Sequence, residues 1–184
     1  MKILVVVDMQ NDFIDGSLGT KEAQAIVPNV KKKIDEAVAN GDFIVYTRDT
    51  HFSDYLNTRE GKKLPVKHCL EGEYGWRIPD ELMPPADYGK YQVINKYTFG
   101  MHQLPSILHR HYLEYFHHGD ITEIELIGLC TDICVVSNAL LMKSWFYNFM
   151  DISVDATCCA GVTPETHEAA LKTMEMCQIN VKRG

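Results

Sequence analysis

Short runs of β-branched residues alternate with helical patterns along this chain, and this alternation constrains the possible folds most strongly. Six runs are predicted as strands, at residues 3–7, 43–47, 92–95, 124–127, 152–154 and 179–181. Strands separated by helices usually lie parallel in one sheet, because each helix returns the chain to the end of the sheet where the previous strand began. The pattern therefore predicts an α/β fold whose parallel sheet carries helices on both faces.

Two of the predicted helices have recognisable ends. In the helix between the first two strands, Pro28 is expected in the first turn and Gly41 at the end, with an apolar stripe of Val27, Val30, Ile34 and Val38. The last helix is expected to have Thr163 as its N-cap and Pro164 at its first position, with a stripe of Ala170, Met174 and Cys177. Residues 49–85 have no strong periodicity and contain several Gly and Pro residues, so they are predicted to be a long loop region. Such loops in compact domains are commonly functional.

Length and charge limit the classes of function. The 184 residues suffice for one well-buried core, so we expect residues 1–184 to form a single domain. The net charge of −7 opposes binding to nucleic acid and to anionic membranes, and is compatible with a small neutral or cationic substrate. The first apolar run ends after five residues, too early for a signal peptide or a membrane span. We therefore expect a cytoplasmic protein.

The six cysteines are expected to be reduced thiols, since the chain is larger than a disulfide-stapled miniprotein and shows no export signal. Cys158 and Cys159 follow a predicted strand and Cys177 lies in a predicted helix, so all three are expected to be small buried apolar residues. A structural zinc site at Cys130 and Cys134 is disfavoured, because this Cys-x-x-x-Cys pair has no matching second pair.

Three chemically capable residues fall at or after the carboxyl ends of predicted strands, where open parallel sheets bind ligands. Asp8 ends the first strand and is interpreted as either a cap or a catalytic base. Lys96 ends the third strand, and a lone lysine there is often only a solvated side chain. Cys134 is predicted near a helix N-terminus, where the helix dipole lowers a thiol pKa and backbone N–H groups can bind an oxyanion. The alternative is that Cys130 and Cys134 are small buried residues in a tight joint.

A possible metal site follows the second strand. Asp49 and His51 are two residues apart and point the same way in an extended segment, and His68 lies later in the same loop region. Two histidines and one carboxylate leave open positions for water or substrate, as in catalytic rather than structural metal sites. Cys69 is a possible further ligand, but is interpreted as a packing residue.

Three motifs together resemble the isochorismatase-like cysteine hydrolases, in order and over nearly the whole chain. They are Val-Asp-Met-Gln-Asn-Asp-Phe with Asp8, Asn-Lys-Tyr-Thr-Phe-Gly with Lys96, and Gly-Leu-Cys-Thr-Asp-Ile-Cys-Val with Cys134. Asp49, His51 and His68 resemble the metal site of the nicotinamidase/pyrazinamidase branch of that family. The resemblance implies a three-layer α/β/α fold with a six-stranded parallel sheet and an Asp-Lys-Cys triad.

The resemblance also implies a role for each matching residue. Cys134 would be the nucleophile, Asp8 the proton acceptor and donor, and Lys96 the cation that tunes both. The backbone amides of Cys130 and Cys134 would form the oxyanion hole, with a cis peptide between Leu129 and Cys130. A divalent metal, zinc or alternatively iron or manganese, would bind the ring nitrogen of nicotinamide and orient its carboxamide. The ring would lie between apolar walls supplied by two residues, Phe13 and Phe99.

The expected activity is hydrolysis of nicotinamide, with pyrazinamide as a side substrate, in a homo-oligomer that binds a small amide and takes part in NAD metabolism. The sequence departs from many nicotinamidases, which often read Asp-Trp-His-Pro in the metal loop and have a tryptophan three residues before the later histidine. Here Asp49-Thr50-His51-Phe52 and Pro65 occupy these places. Two alternatives stay open: a related ureido or carbamoyl amidohydrolase, and a non-catalytic metal-binding or redox-sensing protein. Cys134 argues against a true isochorismatase, which resembles this family without that cysteine.

Overall fold

The structure is a computed structural model that describes residues 1–184, apart from the side chain of Leu113. Its sheet contains six parallel strands in the order β3-β2-β1-β4-β5-β6. The strands are β1 (Lys2–Val7), β2 (Phe43–Asp49), β3 (Tyr91–Lys96), β4 (Glu123–Leu129), β5 (Asp151–Ala160) and β6 (Asn180–Lys182). All six predicted strands are confirmed, with β5 extending well beyond the predicted residues 152–154.

Helices cover both faces of the sheet, which confirms the three-layer α/β/α architecture. They are α1 (Asn11–Ile14), α2 (Lys21–Asn40), α3 (Leu104–His117), α4 (Val136–Phe146) and α5 (Pro164–Met176). Alternate residues of β1 enter different cores: Val5 packs with α3, α4 and α5 on one face, and Val6 packs with α1 and α2 on the other. Strands buried on both faces read as continuous apolar runs, and this explains the uninterrupted sequence of β1.

The ends of α2 confirm one prediction and correct another. Gly41 ends the helix in a left-handed conformation with φ of 71°, as predicted. Pro28 is not in the first turn, because α2 begins at Lys21, after Thr20, whose side chain accepts a hydrogen bond from the Ala23 amide. The mostly polar first turn hid this earlier start, and the Pro28 ring is accommodated inside the helix.

The N-terminus of α5 confirms the predicted cap. The Thr163 side chain accepts from the amide of Thr166, and the Thr166 hydroxyl accepts from the amide of Thr163. Pro164 occupies the first helical position, where its missing N–H removes no helical hydrogen bond. These contacts fix where the chain enters α5.

All six cysteines are free thiols, as predicted. Cys158 and Cys159 are buried as expected, although they lie within β5 rather than after it. The prediction for Cys177 was wrong: this residue is exposed, since α5 ends at Met176 and the buried stripe ends at Met174. Among the described residues, no helix is both long enough and apolar enough to cross a bilayer.

The predicted loop region lies between β2 and β3. It contains two short 3-10 turns, Tyr55–Asn57 and Asp80–Leu82, and a single parallel bridge joins His51 to Leu70. The backbone amide of His51 donates to the Cys69 carbonyl, and the Glu71 amide donates to the His51 carbonyl. These bonds hold one half of the loop against the end of β2.

Gly128, in β4, leaves no room for a side chain. Its φ is 115°, and a Cβ built on it would lie 2.1 Å from the carbonyl oxygen of Val7. We expect Gly128→Ala to lower the free energy of unfolding by about 3 to 5 kcal/mol, from backbone strain together with overpacking. Urea denaturation measures this loss. Gly72→Ala is the matched control: its φ is 85° but nothing lies within 4 Å, so a loss of about 1 to 2 kcal/mol is expected. Equal losses in both variants would contradict the close-contact explanation.

Candidate active site

The candidate site lies where the strand order changes direction. From β1 the chain continues outward to β2 and β3 on one side, whereas β4 pairs with the other side of β1. Ligands of open α/β sheets bind at the carboxyl ends of the strands at such a position. Asp8 follows β1, Asp49 ends β2, Lys96 ends β3 and Cys130 follows β4. Residues at or directly after the ends of four neighbouring strands therefore meet in one place.

The structure brings Asp8, Lys96 and Cys134 together. The Nζ atom of Lys96 lies 2.7 Å from Asp8 Oδ2 and 3.5 Å from the Cys134 sulfur, to which it donates. Thr47 fixes the other oxygen of Asp8 through a hydroxyl hydrogen bond of 2.8 Å. All three triad side chains are buried, which makes the charge interactions among them stronger than they would be in water.

These positions exclude a helix-cap role for Asp8 and a solvated side chain for Lys96. Asp8 is not a helix cap, because α1 begins after Gln10 and that helix has no side-chain cap. Asp8 has φ of 48°, a left-handed conformation that is uncommon outside glycine and is often found at functional sites. Lys96 is not solvated: it is only 1% exposed and pairs with both Asp8 and Asp49.

The predicted lowering of the Cys134 pKa was wrong. Burial raises the pKa of this thiol well above its ordinary value, and the neighbouring Asp8 carboxylate raises it further, against the opposing charge of Lys96. Burial also raises the pKa of Asp8, although Lys96 opposes this effect. Burial and the nearby carboxylate therefore affect the pKa of this thiol more than the helix dipole does. These contacts favour the protonated form of the sulfur, and the adjacent carboxylate can accept its proton.

A tight turn presents Cys134. The peptide bond between Leu129 and Cys130 is cis, as the resemblance implied, and Thr131–Val135 form one turn of π-helix that leads into α4. Asn138 is fully buried on the first part of α4 and donates 2.8 and 3.2 Å hydrogen bonds to the Cys134 and Phe99 carbonyls. Its side-chain oxygen accepts from the Met101 amide at 3.0 Å. Asn138 thus joins the turn to the loop after β3.

Asp49, His51 and His68 converge, and their potential ligand atoms lie within 4.8 Å of one another. His68 directs its Nδ1 to the Val66 carbonyl at 2.8 Å, which leaves Nε2 toward Asp49. His51 Nε2 is buried and makes no well-formed hydrogen bond to any described residue, although Asp49 Oδ2 is 2.9 Å away. A buried ring nitrogen without a hydrogen bond, beside a second imidazole and a carboxylate, fits a divalent metal such as zinc.

Glu60 is a fourth member of this group that the sequence analysis missed. Its Oε1 lies 3.6 Å from His51 Nε2 and 3.9 Å from His68 Nε2. Glu60 follows the 3-10 turn that begins at Tyr55, and the hydroxyl of Thr58, which accepts from the Gly61 amide, helps to hold the segment. In sequence, Glu60 is one charged residue within a charged loop, so no local pattern distinguishes it.

Gln10 was also missed. Its side-chain oxygen accepts from the Asp49 amide at 2.7 Å, and its side-chain nitrogen donates to the Asp49 and Trp76 carbonyls, each at 2.9 Å. Gln10 therefore fixes the backbone of Asp49 from both sides. Burial alone raises the pKa of the Asp49 carboxyl, but His51 and Lys96 outweigh it and hold that pKa below its usual value. Asp49 is thus an anion that contacts both groups of residues.

A cavity of about 540 Å³ extends from the Cys134 thiol to Asp49 and His68 of the candidate metal site. Cys130, Cys134, Asp49, Glu60 and His68 contribute to its wall. Its lining also contains both predicted substrate-binding residues, Phe13 and Phe99, together with Leu18, Thr20, Arg59, Lys63, Leu64, Ile133 and Val162. Cys69 lies outside this lining and is buried, in agreement with its interpretation as a packing residue. The cavity is therefore a mostly apolar chamber with a thiol and a carboxylate–imidazole cluster in its wall.

Comparison with known proteins gives the family of this chain. Residues 2–182 match the model of the isochorismatase domain. The nicotinamidase of Saccharomyces cerevisiae is 25% identical over 218 residues, covering 98% of this chain and 99% of that protein. The zinc complex of the Pyrococcus horikoshii pyrazinamidase superposes with a TM-score of 0.77 at 25% identity, covering 100% of this chain and 99% of that one. N-carbamoylsarcosine amidase of Thermoplasma acidophilum superposes with a TM-score of 0.75 at 29% identity, covering 100% and 96%.

The chain belongs to the isochorismatase family, which confirms the resemblance seen in its motifs. Membership of this family gives the chain its hydrolase class, and the relatives of the chain include nicotinamidases. A relative that binds zinc, together with the Asp49, His51 and His68 cluster, indicates a divalent metal.

Proposed function

We propose that this protein is a cysteine amidohydrolase that converts nicotinamide to nicotinate and ammonia. One observation carries the proposal: the Asp8–Lys96–Cys134 group and the Asp49–His51–His68 group meet at one cavity, through the shared contacts of Lys96 with Asp8 and Asp49. The first group supplies a nucleophile with its proton acceptor. The second supplies a means of orienting a small ring.

In the first half of the reaction, the Cys134 sulfur attacks the carboxamide carbon and its proton passes to Asp8. The C–S bond forms while the carbonyl oxygen gains negative charge, which the backbone amides of Cys130 and Cys134 stabilise. Asp8 then gives the proton to the amide nitrogen, the C–N bond breaks, and ammonia leaves. A thioester on Cys134 remains, and the raised pKa of Asp8 suits it to receive and return the proton.

In the second half, water attacks the thioester carbon and gives a proton to Asp8. The C–S bond breaks, and the Cys134 sulfur recovers the proton from Asp8 as the acid is released. Lys96 remains a cation throughout, because the Asp8 and Asp49 carboxylates raise its pKa well above the usual value despite burial. It balances the negative charge that moves between the sulfur and the carboxylate.

Asp49, His51 and His68 would hold a divalent metal, with zinc as the first candidate and iron or manganese as alternatives, and Glu60 lies close enough to assist. A bound metal supplies a Lewis acid that orients a ring nitrogen at this end of the cavity. Phe13 tilts against His68, with ring centroids 5.6 Å apart, and therefore provides an apolar wall directly beside the metal ligands. Phe99 provides a wall from the loop after β3.

Removal of the metal by chelation is expected to lower kcat/KM for nicotinamide by at least about 100-fold, with recovery after zinc is added back. His51→Ala should cause the same loss and also abolish stoichiometric zinc binding, measured by elemental analysis of the purified protein. His118→Ala, at the exposed end of α3, is the control and should keep both properties. Undiminished zinc content in His51→Ala would contradict the assignment of the metal site.

A ureido or carbamoyl amidohydrolase is the second candidate. Two features favour it: the similarity to N-carbamoylsarcosine amidase, and Thr50 and Pro65 at the places where many nicotinamidases carry aromatic residues. Trp76 does not replace the missing ring, since its indole donates to Thr50 and stacks on Arg48 outside the cavity. Ammonia release from nicotinamide, pyrazinamide, N-carbamoyl amino acids and ureido acids tests both candidates. Turnover of carbamoyl or ureido compounds alone would overturn the nicotinamidase proposal and retain the cysteine mechanism.

A further inference from the structure

The turn that presents Cys134 is tied to the start of α5 by a hydrogen bond outside the triad. Thr131 Oγ1 and His167 Nδ1 are 2.8 Å apart, and Thr131 is fully buried. Thr131 is the first residue of the π-helical turn, directly after Cys130. A hydrogen bond at that point restrains both the Cys130 backbone and the turn that leads to Cys134.

A second contact joins the same two segments. Both carboxylate oxygens of Asp132 accept from the Val162 amide, at 3.1 and 3.2 Å. Next to Val162, Gly161 allows His167 to pack closely, since a Cβ at Gly161 would lie 2.9 Å from the Cβ of His167. The capping box of α5 then fixes the direction of the helix that carries His167. The position of His167 is thus fixed by the contacts at both ends of this short loop.

The geometry of these contacts assigns a function to His167 and Thr131: we infer that they are a positioning pair for the nucleophile turn. The inference rests on the proposed role of Cys134. Neither side chain contributes to the cavity wall, so they act through the backbone of Cys130 to Cys134. Their hydrogen bond keeps the thiol within reach of Lys96 and keeps the amides of the turn aimed at the developing oxyanion.

Loss of the hydrogen bond is therefore expected to affect the chemical step more than binding. His167→Ala and Thr131→Val should each lower kcat about 10- to 100-fold, the scale that follows from displacement of a reacting group by about 1 Å. KM should change less than threefold or so, because the apolar walls provided by Phe13 and Phe99 are untouched. The double variant should lose no more than the worse single variant, since both remove the same hydrogen bond.

Two conservative variants provide the matched controls. Thr131→Ser keeps the hydroxyl, and His167→Asn keeps a polar atom near the position of Nδ1, so both should retain most of the wild-type kcat. Melting temperatures of all variants are measured in parallel. Equal kcat losses in Thr131→Val and Thr131→Ser, or additive losses in the double variant, would overturn the positioning role.

Alkylation of Cys134 by iodoacetamide, followed by mass spectrometry, separates this inference from the proposed function. The thiol displaces iodide and transfers its proton to base, with no dependence on the identity of the natural amide. Slower alkylation in Thr131→Val than in Thr131→Ser supports the positioning role even if no tested amide is hydrolysed. Identical alkylation rates, in an enzyme that hydrolyses amides, would overturn the positioning role and leave the proposed function intact.

Discussion

Cys134→Ala is expected to abolish amide hydrolysis, with a loss on the order of 10⁶-fold in kcat, the scale observed when a covalent nucleophile is removed. Without the sulfur no thioester can form, because Asp8 transfers the proton and is not the group that attacks the carboxamide carbon. The fold should persist, because alanine removes a single atom from a residue beside a cavity. Ammonia release measures the activity, and circular dichroism on heating measures stability.

The control for this prediction is Cys177→Ala, which removes an exposed thiol outside the site. Its activity should equal that of the wild type. Acid quenching during turnover, followed by mass spectrometry, should detect the acyl group on the peptide that contains Cys134. Activity of Cys134→Ala within a few-fold of the wild type would contradict the covalent mechanism.

Asp8→Asn is expected to lower kcat by about 10² to 10⁴-fold, the contribution of a positioned general acid–base group. The amide has nearly the shape of the carboxylate, and its oxygen can still accept from Thr47, but it cannot take the thiol proton. Lys96 keeps Asp49 as a partner at 3.1 Å, so its charge is not left alone. Single-turnover kinetics measure the chemical step directly.

Asp42→Asn is the matched control for that variant. Asp42 is a buried aspartate that accepts a hydrogen bond from the Lys2 amide. It lies at the amino-terminal ends of the strands, opposite the candidate site. It should retain wild-type kcat, whatever the small change in melting temperature. If Asp8→Asn retained its activity to the same degree, the proton acceptor would have to be another group.

Much of the fold could be predicted because burial on both faces leaves long apolar runs such as β1. The extension of β5 to Ala160 could not, since Asp155 interrupts the apolar pattern and pairs with Lys33 of α2, a partner far away in the sequence. The early start of α2 was missed for a similar reason. Its first turn is mostly polar, with Ala23 as its one buried residue, so the Thr20 cap is the main mark of the start.

The candidate site shows the same division. Asp8, Lys96 and Cys134 are reactive residue types at strand ends, so their positions could be predicted. Gln10 and Asn138 could not, because an amide becomes a positioning group only through backbone atoms that the fold brings to it. The Cys134 pKa was mispredicted because the helix-end argument considers local backbone and omits the burial and carboxylate supplied by the assembled sheet.

The four strand ends that form the site are widely spaced along the chain, near residues 8, 49, 96 and 130. No fragment that lacks one of the first four strands contains all of the reacting groups, and helix formation alone brings none of them together. Pairing between strands that are distant in sequence is slow, because the entropy cost of loop closure arises before the stabilising contacts form. In a refolding experiment, catalytic activity should therefore return only with the last of these strand pairings, and later than the helical signal in circular dichroism.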